Sequence, residues 1–225
     1  MRWITSANVA CGGHAGNVAS MQRCVRLARE FGVNLGAHPG MAGAFGRGPS
    51  QISCDELELL LLQQVGALAR LAIEEGLRLH HIKLHGSLYH ATEQNRKLAF
   101  VYLRATRRWW PGCVLLVMSG GRVAGLARRM GIKVWEEAFV DRGYRADGTL
   151  VPRGEEGALL TDRRKVLARV SCLLAGHPIE SERGQAVRIR ARTLCLHGDT
   201  PGAGQLARAI AHLVARSAVR TSPVG

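Results

Sequence analysis

The sequence is poor in aromatic residues and in lysine. Aromatic side chains make up 5% of its 225 residues, so platforms on which nucleic-acid bases could stack are scarce. The formal net charge is +14, but the arginines that carry most of it are dispersed singly or in pairs. Because dispersed charge is typical of a solvated surface, the sequence argues against nucleic-acid binding as the main function.

Long hydrophobic runs and paired cysteine motifs are also absent. No apolar run approaches the roughly 18 residues that a membrane span requires, and the N-terminal residues MRWITSANVACGG include no long apolar stretch typical of a secretory signal. The absence of a CxxC pair indicates that the cysteines are reduced thiols in the cytosol and do not form a disulfide framework. We therefore expect a cytoplasmic protein that does not bind membranes. The cysteines stand at positions 11, 24, 54, 113, 172 and 195.

The remaining composition is that of an ordinary globular protein. Hydrophobic residues make up 47% and charged residues 21%, which excludes a largely disordered or collagen-like chain. A chain of 225 residues is long enough for one sizeable core, and it contains no internal repeat or linker rich in proline, glycine and serine. We therefore expect residues 1–225 to form a single domain.

Helical segments alternate with short apolar runs. Asn17 predicts the start of one helix and Gly32 its end. Ser53 and Glu56 form a predicted capping box for a helix that extends to about Gly76. Further helices are predicted over residues 94–109, 122–130, 161–175 and 202–216. Spacing predicts that the first helix buries one face, formed by Val18, Met21, Val25 and Ala28.

The apolar runs between these helices predict six strands. Alternation of strands and helices predicts an α/β fold with a parallel sheet. Polar segments rich in glycine follow the strands, where parallel α/β folds place their sites. Several such segments on one face suit a barrel better than an open sheet. The strands are predicted over residues 4–9, 33–37, 79–84, 113–118, 132–136 and 193–196.

Four histidines stand in the segments that follow predicted strands, at His14, His38, His85 and His197. A single histidine in such a place usually caps a loop carbonyl, but four together favour a shared site. Metal ligation by His14 and His38 stays open, because neither an HExxH motif nor an acidic first strand completes a ligand set.

Charged residues accompany these histidines. Lys83 and His85 alternate along one predicted strand and so face the same side. Lys83 either binds an anionic group, acts as a base, or pairs with Asp141 or Glu137. Asp141 is a candidate general base and Arg142 a candidate carboxylate clamp, while a structural pairing of the two is the alternative.

The segment HGDTPG precedes the last predicted helix. Thr200 and Pro201 supply a predicted N-cap and first-turn proline. Asp199 either caps this helix, or activates water or accepts a proton. No GxxxxGK[ST] or GxGxxG motif is present, so the sequence predicts no self-contained ATP site, and Ser87 lacks the GxSxG setting of a serine hydrolase.

Five longer segments resemble the LamB/YcsF family, in that family's order and over nearly the whole chain. The resemblance implies an irregular (β/α)7 barrel of the glycoside hydrolase and deacetylase type. It also implies an A subunit that works with partner subunits B and C in the ATP-dependent hydrolysis of 5-oxoproline, a cyclic amide, to glutamate. The segments are SANVACGGHAGN, GAHPG followed by FGRG, KLHGSLYH, EAFVDRGYRADGTLVPRGEEGALLTD and CLHGDTPGA.

The resemblance also implies roles for eight residues, carried over by position. It implies ATP as the cofactor and leaves a divalent metal ion at His14 and His38 open. The implied catalytic residues are Lys83, His85, Asp141 and Asp199, and the implied substrate-binding residues are His14, His38, Arg142 and His197.

The sequence departs from the family pattern at acidic positions. Family members open with a strand of the type DLNCDLGE, whereas this sequence begins MRW, and Asn17 stands where the family has aspartate. An aspartate expected within residues 41–44 is missing, and Leu84 replaces a proline. We therefore expect a barrel without its first strand. These departures suggest one alternative function, a catalytically impaired homologue with an assembly or binding role. Analogy of the implied fold alone suggests another, a metal-dependent hydrolase of the carbohydrate deacetylase type.

Overall fold

The computed structural model describes residues 1–43, 46–48 and 51–217, which form seven helices and eight strands. The chain divides into two compact units, Met1–Trp135 and Glu136–Gly225. Phe45, from the FGRG segment, and Ala44 lie outside the described residues. Among the described helices, none combines the length and the apolar character that crossing a bilayer requires. The single domain predicted over residues 1–225 stays a prediction.

The first unit contains four parallel strands in the order β1-β2-β3-β4. Their register places Val9, Ala37, Ile82 and Leu115 side by side across the sheet. All four side chains are buried, so this row forms part of the core directly below the segments that follow the strands. The strands are β1 (Ser6–Ala10), β2 (Asn34–His38), β3 (His81–Ile82) and β4 (Val114–Met118).

Five helices belong to the first unit, and the predicted caps of the first two are confirmed. Asn17 begins the first helix with a capping box to Ser20, and Gly32 ends it in the left-handed conformation with φ 61°. Ser53 and Glu56 form the capping box of the second. The helices are α1 (Val18–Phe31), α2 (Cys54–Glu74), α3 (Gly86–Gln94), α4 (Arg96–Trp109) and α5 (Arg122–Arg129).

The helices bury one apolar face each. Met21, Val25 and Ala28 of α1 are buried as predicted, whereas Val18 is exposed and was wrongly placed on this face. Val18 is the first residue of the helix, so it lies beyond the end of the packed stripe. Helix α2 buries a stripe at helical spacing, formed by Leu57, Leu61, Val65, Leu68 and Ala72.

The second unit has its own small core around one parallel strand pair. Ala138 pairs with Leu194 in this strand pair, and Val140, Val166, Val170 and Leu206 form a buried cluster. A short antiparallel hairpin lies between the paired strands in sequence. The elements are β5 (Val134–Phe139), which begins in the last residues of the first unit, α6 (Arg163–Leu174), β6 (Ile179–Glu180), β7 (Ala186–Val187), β8 (Thr193–Cys195) and α7 (Ala203–Arg216).

All six predicted strands are present, and the structure differs from the sequence-based expectations in three local features. Helix α3 occupies the segment HGSLYH, which was expected to be a polar segment at a strand end, and the hairpin of β6 and β7 was not predicted. Gly202, not Thr200, is the N-cap of α7, and it makes no side-chain capping bond. Thr200 instead donates its hydroxyl hydrogen to Asp141.

Candidate functional site

Three of the predicted site histidines lie together in the first unit. One ring nitrogen from each of His14, His38 and His85 lies within 4.8 Å of those of the other two. The rings of His14 and His85 are stacked, with centroids 3.6 Å apart and 4° between their planes. His38 meets both rings edge-on. We call His14, His38 and His85 the histidine cluster.

Close backbone packing makes this cluster possible. A Cβ atom at Gly40 would lie 2.5 Å from Nδ1 of His14, and one at Gly46 would lie 2.8 Å from Cδ2 of His85. The side-chain amide of Gln64 in α2 accepts from the N–H of Gly40 and donates to its carbonyl, both at 2.9 Å. Gln64 therefore fixes the segment after β2 against α2, and the sequence carried no signal for this role.

Hydrogen bonds define the tautomers of two of these histidines. Nδ1 of His38 lies 2.8 Å from the carbonyl oxygen of Lys83, and a carbonyl only accepts, so Nδ1 carries the hydrogen. Burial, followed by the nearby charges of Lys83 and His85, holds the pKa of His38 well below its usual value. A neutral His38 then accepts through Nε2 from Nδ1 of His85, at 2.9 Å.

Lys83 is placed beside this cluster. Its side chain is buried, its N–H donates to the carbonyl of Ala37 at 3.0 Å, and its charge contributes to the lowered pKa of His38. The structure therefore brings together four of the eight predicted site residues: His14, His38, Lys83 and His85.

In the second unit, Asp141 and His197 form a hydrogen-bonded pair. The carboxylate of Asp141 accepts from Nδ1 of His197 at 2.9 Å, from the N–H of His197 at 3.0 Å, and from the hydroxyl of Thr200 at 2.5 Å. The ring of His197 stacks on Phe139, with centroids 5.6 Å apart. Because a carboxylate only accepts, Nδ1 of His197 carries a hydrogen and Nε2 is the acceptor of the neutral ring.

The electrostatics of this pair keep Asp141 ionised. Burial acts to raise the pKa of Asp141, but the hydrogen bond and charge of His197, together with the bond from Thr200, outweigh it and lower the pKa to about 2. The side chain of His197 stays 19% exposed, against 1% for Asp141. Of the two, His197 is therefore the side chain that can meet a substrate.

The two remaining predicted site residues have different settings. Arg142 is buried, and its guanidinium donates to the carbonyls of Ala158 at 3.0 Å and Val151 at 2.5 Å. These bonds stabilise the loop that follows β5 and favour a structural role. Asp199 is exposed and lies outside the capping position of α7. The substrate-binding role of Arg142, the catalytic role of Asp199, and one shared site for all eight residues stay predictions.

Comparison with known proteins supports the sequence resemblance. The model of the LamB/YcsF family matches residues 1–225. The chain belongs to the LamB/YcsF family. A 5-oxoprolinase A subunit from Pyrococcus abyssi (strain GE5 / Orsay) is 39% identical, over 100% of this chain and 89% of the relative. One from Bordetella parapertussis (strain 12822 / ATCC BAA-587 / NCTC 13253) is 38% identical, over 97% of this chain and 88% of the relative.

A solved structure extends the likeness within the LamB/YcsF family to three dimensions. The crystal structure of the lactam utilization protein from Thermus thermophilus matches with a TM-score of 0.87 and 36% sequence identity. The match covers 96% of this chain and 87% of that protein. The α/β fold with parallel strands is therefore confirmed.

Proposed function

We propose that this chain is the A subunit of a multi-subunit 5-oxoprolinase, which hydrolyses the cyclic amide of 5-oxoproline to give glutamate. The observation that carries this proposal is similarity over the whole chain to proteins named as 5-oxoprolinase A subunits. The name of the Thermus protein, a lactam utilization protein, agrees with a cyclic amide as substrate. Partner subunits B and C complete the proposed enzyme, which acts in the cytoplasm.

Opening a lactam needs a nucleophile at the carbonyl carbon and a proton for the leaving nitrogen. Amide resonance makes this carbon resistant to attack. We propose that Nε2 of His197 accepts a proton from water as the water oxygen bonds to the carbonyl carbon. The carbon–nitrogen bond then breaks, and the imidazolium returns the proton to nitrogen, which leaves an amine and a carboxylic acid.

Asp141 acts on this chemistry through His197. Its carboxylate holds the Nδ1 hydrogen of the ring, so that Nε2 is presented as the acceptor, and it stabilises the imidazolium that forms. Asp141 was itself the candidate base in the sequence, whereas its burial and three accepted hydrogen bonds favour a positioning role. Lys83, in the first unit, stays a separate candidate for binding an anionic group.

The sequence has two pairs of adjacent glycines, Gly12-Gly13 and Gly120-Gly121, and the described residues around them do not fit ATP. A Cβ atom at Gly121, which precedes α5, would lie 2.6 Å from the carboxylate of Glu93, so an acidic side chain already occupies that helix end. A Cβ atom at Gly13 would lie 2.0 Å from the carbonyl oxygen of Gly40. We therefore derive no step through ATP here and propose that its use depends on the partner subunits.

The test is an assay of the assembled enzyme. This chain is co-expressed with subunits B and C, and release of glutamate from 5-oxoproline is followed with and without ATP. We expect glutamate only when all three subunits and ATP are present. A complex that assembles but releases no glutamate would contradict the proposal and support the alternative of an impaired homologue with an assembly role.

The histidine cluster favours a second candidate function, a metal-dependent hydrolase of the carbohydrate deacetylase type. Imidazole groups that converge are suited to a divalent metal ion that activates water. Metal-dependent release of acetate from an acetylated oligosaccharide, by this chain alone, would support this candidate.

The high TM-score to the Thermus protein supports the further proposal of an irregular (β/α)7 barrel as a single domain.

A further inference from the structure

We propose that His14, His38 and His85 bind one divalent transition-metal ion of the zinc class. One ring nitrogen of each lies within 4.8 Å of the others. Zinc binds imidazole nitrogen at about 2.0–2.1 Å, so two ligands of a tetrahedral site lie about 3.3 Å apart. The three rings must therefore move closer together and turn before their lone pairs meet at one ion.

His38 is already oriented as a metal ligand. Its Nδ1 donates to the carbonyl of Lys83 at 2.8 Å, which directs the lone pair of Nε2 into the cluster. Histidines that bind metals usually donate their second ring N–H in this way. The facing Nδ1 of His85 lies 2.9 Å from that lone pair. Ligation through Nδ1 of His85 would require the tautomer that carries its hydrogen on Nε2.

His14 supplies the third nitrogen. Among the described residues, its buried Nδ1 atom finds no hydrogen-bond partner, and buried polar atoms without a partner are rare in folded proteins. The space beside it is the space that a side chain at residue 40 would fill, since a Cβ atom at Gly40 would lie 2.5 Å away. Because ligation occurs in the ring plane, the stacked rings of His14 and His85 must turn towards the ion.

The donor set determines which ion binds. The cluster offers three imidazoles and no carboxylate, which suits zinc, cobalt or nickel and does not suit magnesium or calcium. This metal site does not rest on the proposed lactam chemistry.

Titration of the metal-free full-length protein tests the proposal. The protein is treated with a chelator and titrated with Zn²⁺ and with Mg²⁺ in a calorimeter. We expect one Zn²⁺ per chain and no Mg²⁺. Co²⁺ added instead should give the intense visible bands of a four- or five-coordinate ion. Absence of Zn²⁺ binding, or Co²⁺ bands of the hydrated ion only, would overturn the proposal.

Variants place the ion within the chain. His38→Gln and His85→Gln should each weaken Zn²⁺ binding by at least about 100-fold. That is the upper end of the loss seen when the mutated residue only hydrogen-bonds to a metal ligand and does not itself bind the metal. The exposed His177 supplies the control, and His177→Gln should bind Zn²⁺ like the unchanged protein. The half-buried His14 gives a milder variant, His14→Gln, with circular dichroism to confirm its fold. Unchanged affinity in these cluster variants would contradict the assignment.

Discussion

At the scale of single residues, the hydrogen bonds to Asp141 make part of the stability depend on pH. Its pKa falls from 3.8 to about 2 on folding. A carboxyl group with a depressed folded pKa contributes stability that is present above its unfolded value and is lost as pH falls towards the folded value. The shift corresponds to about 2 kcal/mol of the free energy of unfolding at neutral pH.

Urea unfolding of the unchanged protein and of Asp141→Asn, from pH 6 down to pH 3, measures this contribution. The asparagine variant lacks the titrating group, so the difference in unfolding free energy should narrow by about 1 kcal/mol between pH 5 and pH 3. A difference that stays constant over this range would show that the folded state does not hold Asp141 ionised.

Single residues also show how far sequence reasoning reaches. His14, His38 and His85 could be grouped in advance, because each follows a predicted strand and parallel strands end on one side. The hydrogen bonds between Asp141 and His197 could not be predicted, because the sequence does not show that β5 and β8 are neighbours in the sheet. Gln64 gave no signal either, because a polar residue on a helix is ordinarily solvated.

At the scale of elements, the side chain of Gln64 connects α2 to the segment that follows β2. Gln64→Ala leaves the N–H and carbonyl of Gly40 without this partner, so we expect a loss of about 1–3 kcal/mol in the free energy of unfolding. Gln63 is exposed on the same helix, and Gln63→Ala should change it by less than about 0.5 kcal/mol. Equal effects in urea unfolding would contradict this role of Gln64.

The pairing of β2 with β3 requires a glycine at position 36, because a larger side chain there would not fit. A Cβ atom at Gly36 would lie 1.9 Å from Nε2 of His81, which is fully buried and 3.0 Å from Oδ1 of Asn8. Gly36→Ala should therefore lower the free energy of unfolding by about 1–3 kcal/mol through overpacking. Gly66 lies within α2 with open space around it.

Gly66→Ala serves as the matched control for Gly36→Ala. Alanine in a helix interior is favoured over glycine by about 0.8–1.0 kcal/mol, so this substitution should raise the free energy of unfolding. Chemical denaturation of both variants measures the two changes in the free energy of unfolding, and these should have opposite signs at the crowded Gly36 and the open Gly66. If Gly36→Ala were as stable as the unchanged protein, the close approach of His81 to β2 would be incorrect.

Helices with a strong periodic pattern were predictable, whereas the two short strands of the hairpin were not. The capping residues and apolar stripes of α1 and α2 stand in the sequence itself. The strands β6 and β7 have two residues each, which is too short for alternation to be recognised. Helix α3 begins with Gly86 directly after His85, and a glycine that follows a histidine at a strand end is typical of a loop.

At the scale of the whole molecule, alternation of strands and helices was sufficient to predict a parallel α/β fold, and the likeness to the Thermus protein agrees with it. The division into two compact units was not predicted, because the chain has no linker whose composition changes at the boundary. The histidine cluster lies in the first unit and the Asp141–His197 pair in the second. In the proposed hydrolysis, the proton is transferred by His197 and the ring is positioned by Asp141, both of the second unit.

The most direct measurement of the central claim is the turnover number of the assembled three-subunit enzyme carrying His197→Gln. If Nε2 of His197 transfers the proton during lactam hydrolysis, kcat for glutamate release should fall by roughly 10²–10⁴-fold, while assembly with the partner subunits is retained. His177→Gln, an exposed histidine of the same unit, should leave kcat unchanged. An assembled His197→Gln enzyme with the full turnover number would contradict the account.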